Sequence, residues 1–227
     1  MATVGLALLA GAGVPVAVLL GLAMFALQAS IGTLNDIVDA ERDRGSKLAK
    51  PIPLGLVPLG VARSIAAGSL VVGLVLSAAA RPLLVIVAGL GIGLGYAYDL
   101  RLKAGPWSWL PFALGVGLLP VFAWLGATGR LPAVFGVVLP AAILAGAGLA
   151  LANQLADVER DRQAGLQTTV ARLGRARAWR LSAVLELIAA TLAMGSLAHA
   201  GAGIEWLGAA VVSIGLASTG RRFVGNG

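Results

Sequence analysis

No Asp, Glu, Lys, Arg or His occurs between residues 2 and 34. As an α-helix rising about 1.5 Å per residue, that run would extend roughly 50 Å, beyond the ~30 Å hydrocarbon core of a bilayer. It lacks a basic n-region and is too long for a cleavable signal peptide, so it reads as part of the folded protein. The rest of the chain follows suit: 59% of its 227 residues are hydrophobic and 12% are charged, about half the charge a soluble domain carries. A water-soluble fold is excluded. So are disulfide frameworks and thiolate metal sites, because there is no cysteine.

Seven apolar stretches are long enough to span, at 14–34, 64–80, 82–98, 108–128, 132–152, 181–198 and 204–220, with residues 2–13 as a partial eighth. In lipid the backbone must satisfy itself, which leaves helices or closed barrels, and these runs lack the alternation of barrel strands. The 32 glycines suit close helix approach. The expected fold is all-α: a polytopic transmembrane helical bundle of seven to eight spans, forming one domain over 1–227.

Charge gives the orientation. Fifteen of the 17 Lys and Arg residues fall in one set of alternate loops, and only Arg81 and Arg130 in the other. The positive-inside bias places the rich set in the cytoplasm. Net charge +7 is thereby explained by topology, with the lipid bilayer as partner and no nucleic acid.

The acidic residues are concentrated. Of ten, four lie within Asp36–Asp43 and three within Asp157–Asp161, each group following an apolar helix on the cytoplasmic side. The segments 35–44 and 153–162 match without gaps at six of ten positions, which marks an internal repeat with two related halves. If the helices run on through the motifs, Asn35, Asp39 and Asp43 share one face, joined by Asp36, and Asn153, Asp157 and Asp161 repeat the stripe. Carboxylates stacked at a helix C-terminus repel one another and the macrodipole, so something positive must offset them. Mg2+ suits an all-oxygen site and is commonly held by one or two carboxylates plus substrate phosphates. Two such sets can each hold Mg2+ and clamp one diphosphate. The competing reading is a pair of solvated helix ends with local ion pairs such as Asp39–Arg42 and Asp43–Lys47.

Asn35-Asp-x-x-Asp-x-x-x-Asp43, followed by Lys50-Pro-Ile-Pro-Leu-Gly55, resembles the first motif of the UbiA superfamily of intramembrane prenyltransferases. Asp157-x-x-x-Asp161, followed by Gly165-x-x-Thr168 and Leu173-Gly174, resembles its second. Tyr96-Ala-Tyr98-Asp-Leu-Arg-Leu-Lys103 is similar to the family's tyrosine-and-lysine motif. The resemblance covers nearly the whole chain. By this mapping the family's first helix is reduced to residues 2–13 or absent, its last helix is missing beyond Gly227, and Lys50 stands where arginine is commoner.

The resemblance implies a Mg2+-dependent enzyme that ionises a polyprenyl diphosphate donor and passes the allylic cation to an aromatic or other lipophilic acceptor. It implies catalytic and metal-binding roles for Asp36, Asp39, Asp43, Asp157 and Asp161. Asn35, Asn153, Lys103, Arg101 and either Tyr96 or Tyr98 would bind substrate. The basic segments 44–63 and 162–180 would cap the chamber. For Lys103 and Arg101 the plainer reading is a positive-inside anchor. Trp107, Trp109 and Trp179 read as interfacial belt residues, and Glu186 as an intramembrane acid of open role. Alternatives are a UbiA-type terpene cyclase, an inactive truncated paralogue, and a non-enzymatic membrane protein such as a divalent-cation transporter. Transporters hold ions near the midplane, whereas these acids sit at helix ends.

Overall fold

A computed structural model describes residues 2–43, 50–163 and 165–199. Its helices are α1 (Ala2–Leu9), α2 (Val14–Asp43), α3 (Leu59–Ala80), α4 (Leu84–Ala97), α5 (Trp109–Thr128), α6 (Phe135–Gln163), α7 (Thr169–Leu173) and α8 (Arg175–His199), with a π turn at Tyr98–Leu102. No strand occurs among the described residues.

Punctuation in the sequence accounts for the boundaries. Pro15 sits in the first turn of α2, where its missing N–H costs nothing. Pro58 precedes α3, and Arg81, held extended before Pro82, ends it. Gly129 terminates α5 with a left-handed backbone (φ +75°), which a side chain would strain. Thr168 caps α7, its hydroxyl accepting from the Ala171 amide at 3.4 Å.

Six of these helices are long and apolar enough to cross a bilayer, within Val14–Glu41, Leu59–Ala80, Leu84–Leu102, Trp109–Thr128, Phe135–Glu159 and Arg175–Ser196. Six of the expected seven to eight spans are thus present among the described residues. The stretch 204–220 lies outside them. The partial eighth is α1, whose eight residues reach only about 12 Å. Large apolar side chains such as Phe25, Val71, Ile86 and Leu187 are exposed on the spans. In water so much exposed apolar surface would be an aggregation hazard; against lipid tails it is the ordinary outer face of a multi-pass protein.

The chain forms two compact units. The first holds α1 to α4, the π turn and the end of α5; the second holds the start of α5 with α6, α7 and α8. In the first, α2 packs along α3 and also meets α1 and α4. Small residues let the backbones approach: a Cβ at Gly73 would stand 3.0 Å from the Leu27 amide nitrogen and 2.7 Å from Leu27 Cδ2. Gly126 likewise receives Leu20, and Gly95 receives Ile31. Arg81, one of the two basic residues of the sparse loops, is tied down by its Nε donating to the Gly126 carbonyl at 3.1 Å.

In the second unit α6 packs along α8. Leu151, Leu155, Val158, Val170 and Ala178 form its buried apolar cluster. A Cβ at Gly146 would lie 2.9 Å from Ala113 Cα, so α5 and α6 touch backbone to backbone. Gly148 accommodates both the side chain of Glu186 and the hydroxyl of Ser182, which donates to the Gly148 carbonyl at 2.8 Å.

Candidate active site

The first acidic motif rides on the last turns of α2, which continues through it to Asp43. The neighbouring scaffold is the end of α4, where the helix widens for one turn. The Lys103 amide donates to the Tyr98 carbonyl at 3.0 Å, an i→i+5 bond that closes the π turn. Such turns inside α-helices are rare and recur at functional sites. This one carries Asp99 and ends at Lys103.

Three contacts knit these elements into one cluster. Lys103 Nζ donates to Asp39 Oδ1 at 2.5 Å. Asn35 Nδ2 donates to Asp99 Oδ1 at 2.8 Å. Lys50, on the segment following the motif, lies 2.6 Å from Asp36 Oδ1. Asp39 is buried and Lys103 mostly so, and Asp99 is 1% exposed. Charges that far out of water need partners. The two lysines match the two motif carboxylates, and Asp99 remains as the additional acid. Its Oδ2 is buried without a hydrogen-bond partner among the described residues.

Tyr96 reaches the cluster's apolar side. Its hydroxyl lies 2.8 Å from Ser30 Oγ, and Ser30, fully buried, donates its single proton to the Ala66 carbonyl at 2.7 Å. The proton between the two hydroxyls must therefore come from Tyr96, whose oxygen keeps lone pairs for any further partner. Tyr98 is half-buried at the start of the π turn, and Arg101 is exposed on it. The side chain of Asp43 lies outside the described residues.

The second motif ends α6. Asn153, Asp157 and Asp161 follow at intervals of four and share one stripe; Asn153 and Asp157 are exposed and Asp161 is half-buried. The segment after it is stitched to the stretch before α5. Thr169 Oγ1 donates to the Pro106 carbonyl at 2.7 Å, and the Gln167 amide donates to the Ala104 carbonyl at 3.1 Å. Gln154 holds both sides, donating to Ser108 Oγ at 3.0 Å and accepting from the Val170 amide at 3.3 Å. In the internal repeat Gln154 stands where the first motif has Asp36. That single mismatch replaces a lysine-paired carboxylate with an amide that braces α7.

The donors of the first cluster, from Asn35, Asp36, Asp39 and Asp99, are all oxygen, which suits a hard cation such as Mg2+. The partnerless Asp99 oxygen adds unspent negative charge to it. Among the described residues no three acidic or histidine side chains converge closely enough to hold a metal as they stand; Asp36 and Asp39 each give an oxygen to a lysine. The donor set fits the ion in chemistry, with lysines occupying the carboxylates.

Six apolar spans among the described residues, with carboxylates and lysines gathered at helix ends, define an integral multi-pass membrane protein. The family model for the UbiA prenyltransferase family matches residues 1–225, and the chain belongs to that family. Solved structures share the fold. A UbiA homologue from Archaeoglobus fulgidus bound to Cd2+ superposes with a TM-score of 0.76 at 22% identity, over 95% of this chain and 77% of that one. A UbiA homologue from Aeropyrum pernix K1 in its apo form gives 0.75 at 21% identity, over 89% and 78%. The Archaeoglobus fulgidus homologue bound to GPP and Mg2+ gives 0.71 at 22% identity, over 87% and 73%. No curated protein matches the chain.

Proposed function

We propose that this protein is a Mg2+-dependent intramembrane prenyltransferase that moves a polyprenyl group from its diphosphate to a lipophilic acceptor. The observation that carries the reading is the cluster of Asn35, Asp36, Asp39 and Asp99 interlocked with Lys50 and Lys103, at the end of apolar helices in a UbiA-family chain. That a homologue of the same fold is bound to GPP and Mg2+ supports it.

Asp36, Asp39 and Asp43 would hold one Mg2+, and Asp157 with Asp161 a second. The second assignment rests on the family resemblance. Bound there, the ions would supply positive charge for the leaving group. The chain's own part follows from its ion pairs. With Asp39 and Asp36 holding a cation, the ammonium groups of Lys103 and Lys50 would be available to the diphosphate oxygens. Heterolysis of the allylic C–O bond leaves the electron pair on diphosphate, where lysine charge stabilises it. The allylic carbon is left as a cation, which the acceptor captures. Apolar helices exclude the water that would quench it. Asn35 and Asn153 assist as polar ligands, Tyr96 or Tyr98 lines the reacting end, and Arg101 adds peripheral positive charge. The acidic motifs face the cytoplasm in this reading, on the loop charges alone.

The test is the product. Membranes containing the protein are given prenyl diphosphates of graded length, with and without aromatic and lipid acceptors, and the extracted lipids are weighed by mass spectrometry. Transfer predicts a species equal to acceptor plus prenyl group minus one hydrogen, formed only when acceptor is added. A cyclised hydrocarbon produced without acceptor would replace transfer by intramolecular capture.

A further inference from the structure

Asp99 belongs to neither repeated motif, and in the Tyr96–Lys103 stretch the resemblance rests on the tyrosines and the lysine. It is 1% exposed, its Oδ1 accepts from Asn35 Nδ2 at 2.8 Å, and its Oδ2 has no partner among the described residues. Stability does not account for it: a buried carboxylate with an orphaned oxygen is costlier than an apolar side chain of similar size. The charged groups that act on it are Lys103 on its own turn and Asp36 and Asp39 on α2. A third carboxyl in that company works against folding, which points to a task.

The task follows from the chemistry of its partner. An Asn side chain has a donating end and an accepting end, and either can be turned to a neighbour. A carboxylate only accepts. Asp99 therefore takes the nitrogen of Asn35, and the carbonyl oxygen becomes the end that Asn35 presents elsewhere. Asp36 follows Asn35 directly, and Asp39 stands one turn further along the same helix.

We propose that Asp99 is a positioning residue that locks the Asn35 amide with its nitrogen inward, so that Asn35 serves the site as an oxygen ligand for a divalent cation and not as an N–H donor to diphosphate. The proposal rests on the reading above that this cluster takes such a cation. Residues that orient a ligand from behind typically change metal affinity 10–100-fold when removed.

The test measures binding of Mn2+ alone to the purified full chain in detergent, by electron paramagnetic resonance, with folding followed by circular dichroism. Asp99→Leu is expected to weaken Mn2+ binding about 10-fold. In an Asn35→Ala background the same substitution is expected to cost markedly less, about two-fold, what remains being the charge of Asp99 itself. Equal losses in both backgrounds would overturn the proposal, since Asp99 would then act by its charge alone. No loss in either would overturn it too. Should Asp99→Leu lose helix content, Asp99→Ala completes the same cycle. Asp39→Asn separates the two levels: wild-type Mn2+ binding unaffected by it, or no wild-type binding at all, overturns the cation reading itself.

Discussion

Asp39→Asn is expected to lower Mg2+-dependent diphosphate release by about 10²–10³-fold, while the protein still inserts in the membrane. The substitution keeps shape and deletes one charge. Asp39 is buried and bonded to Lys103 at 2.5 Å, so two functions disappear together. The site loses a carboxylate for its cation, and Lys103 loses the partner that stations it. Losing one preorganised charge contact at a departing oxyanion generally costs ~3–4 kcal/mol of barrier, which is the stated rate factor. Stability should also fall, by about 1–3 kcal/mol, because a hydrogen bond between charged groups becomes one to a neutral amide. Near-normal turnover would remove Asp39 from the mechanism.

The second large effect separates chemistry from stability. Asp157→Asn is expected to cost about 10²-fold in release rate with stability lowered by no more than ~1 kcal/mol, the usual worth of a polar contact at an exposed residue. Asp157 is exposed on the α6 stripe, not buried like Asp39. Its loss should therefore appear in turnover and Mg2+ dependence, with thermal unfolding in detergent as the check on folding. An unfolding shift as large as that of Asp39→Asn would mean that Asp157 is a structural carboxylate. Normal turnover in both variants would sink a mechanism built on two motifs.

The parts of the fold legible in the sequence were those written in local pattern. Long charge-free runs require spanning helices wherever they occur, and the acidic stripes at intervals of four need only that α2 and α6 run on past their apolar sections. Both do: α2 reaches Asp43 and α6 reaches Gln163. Periodicity is silent where contacts join distant segments. Asn35 and Asp99 lie 64 residues apart, as do Asp39 and Lys103. Ser30 and Tyr96 are separated by 66, and Ser30 sits inside a run that reads as plain lipid-facing helix. Sequence spacing suggests local ion pairs such as Asp39–Arg42 and Asp43–Lys47, whereas the pairing of Asp39 with Lys103 joins α2 to the turn after α4 and leaves no trace in spacing. The π turn carries no sequence signature, since its extra residue is set by packing at the end of α4. Gln154 did leave a trace: it is the amide standing at Asp36's place in the repeat, and that substitution marks a change of role from charge to bracing.

Diphosphate release by membranes containing this protein, offered prenyl diphosphates of graded length with and without Mg2+, tests the central claim most directly. Release is expected to require Mg2+, favour one donor length and collapse in Asp39→Asn. Release from no donor, with the protein correctly inserted and acceptors present, would contradict it, as would release indifferent to Mg2+.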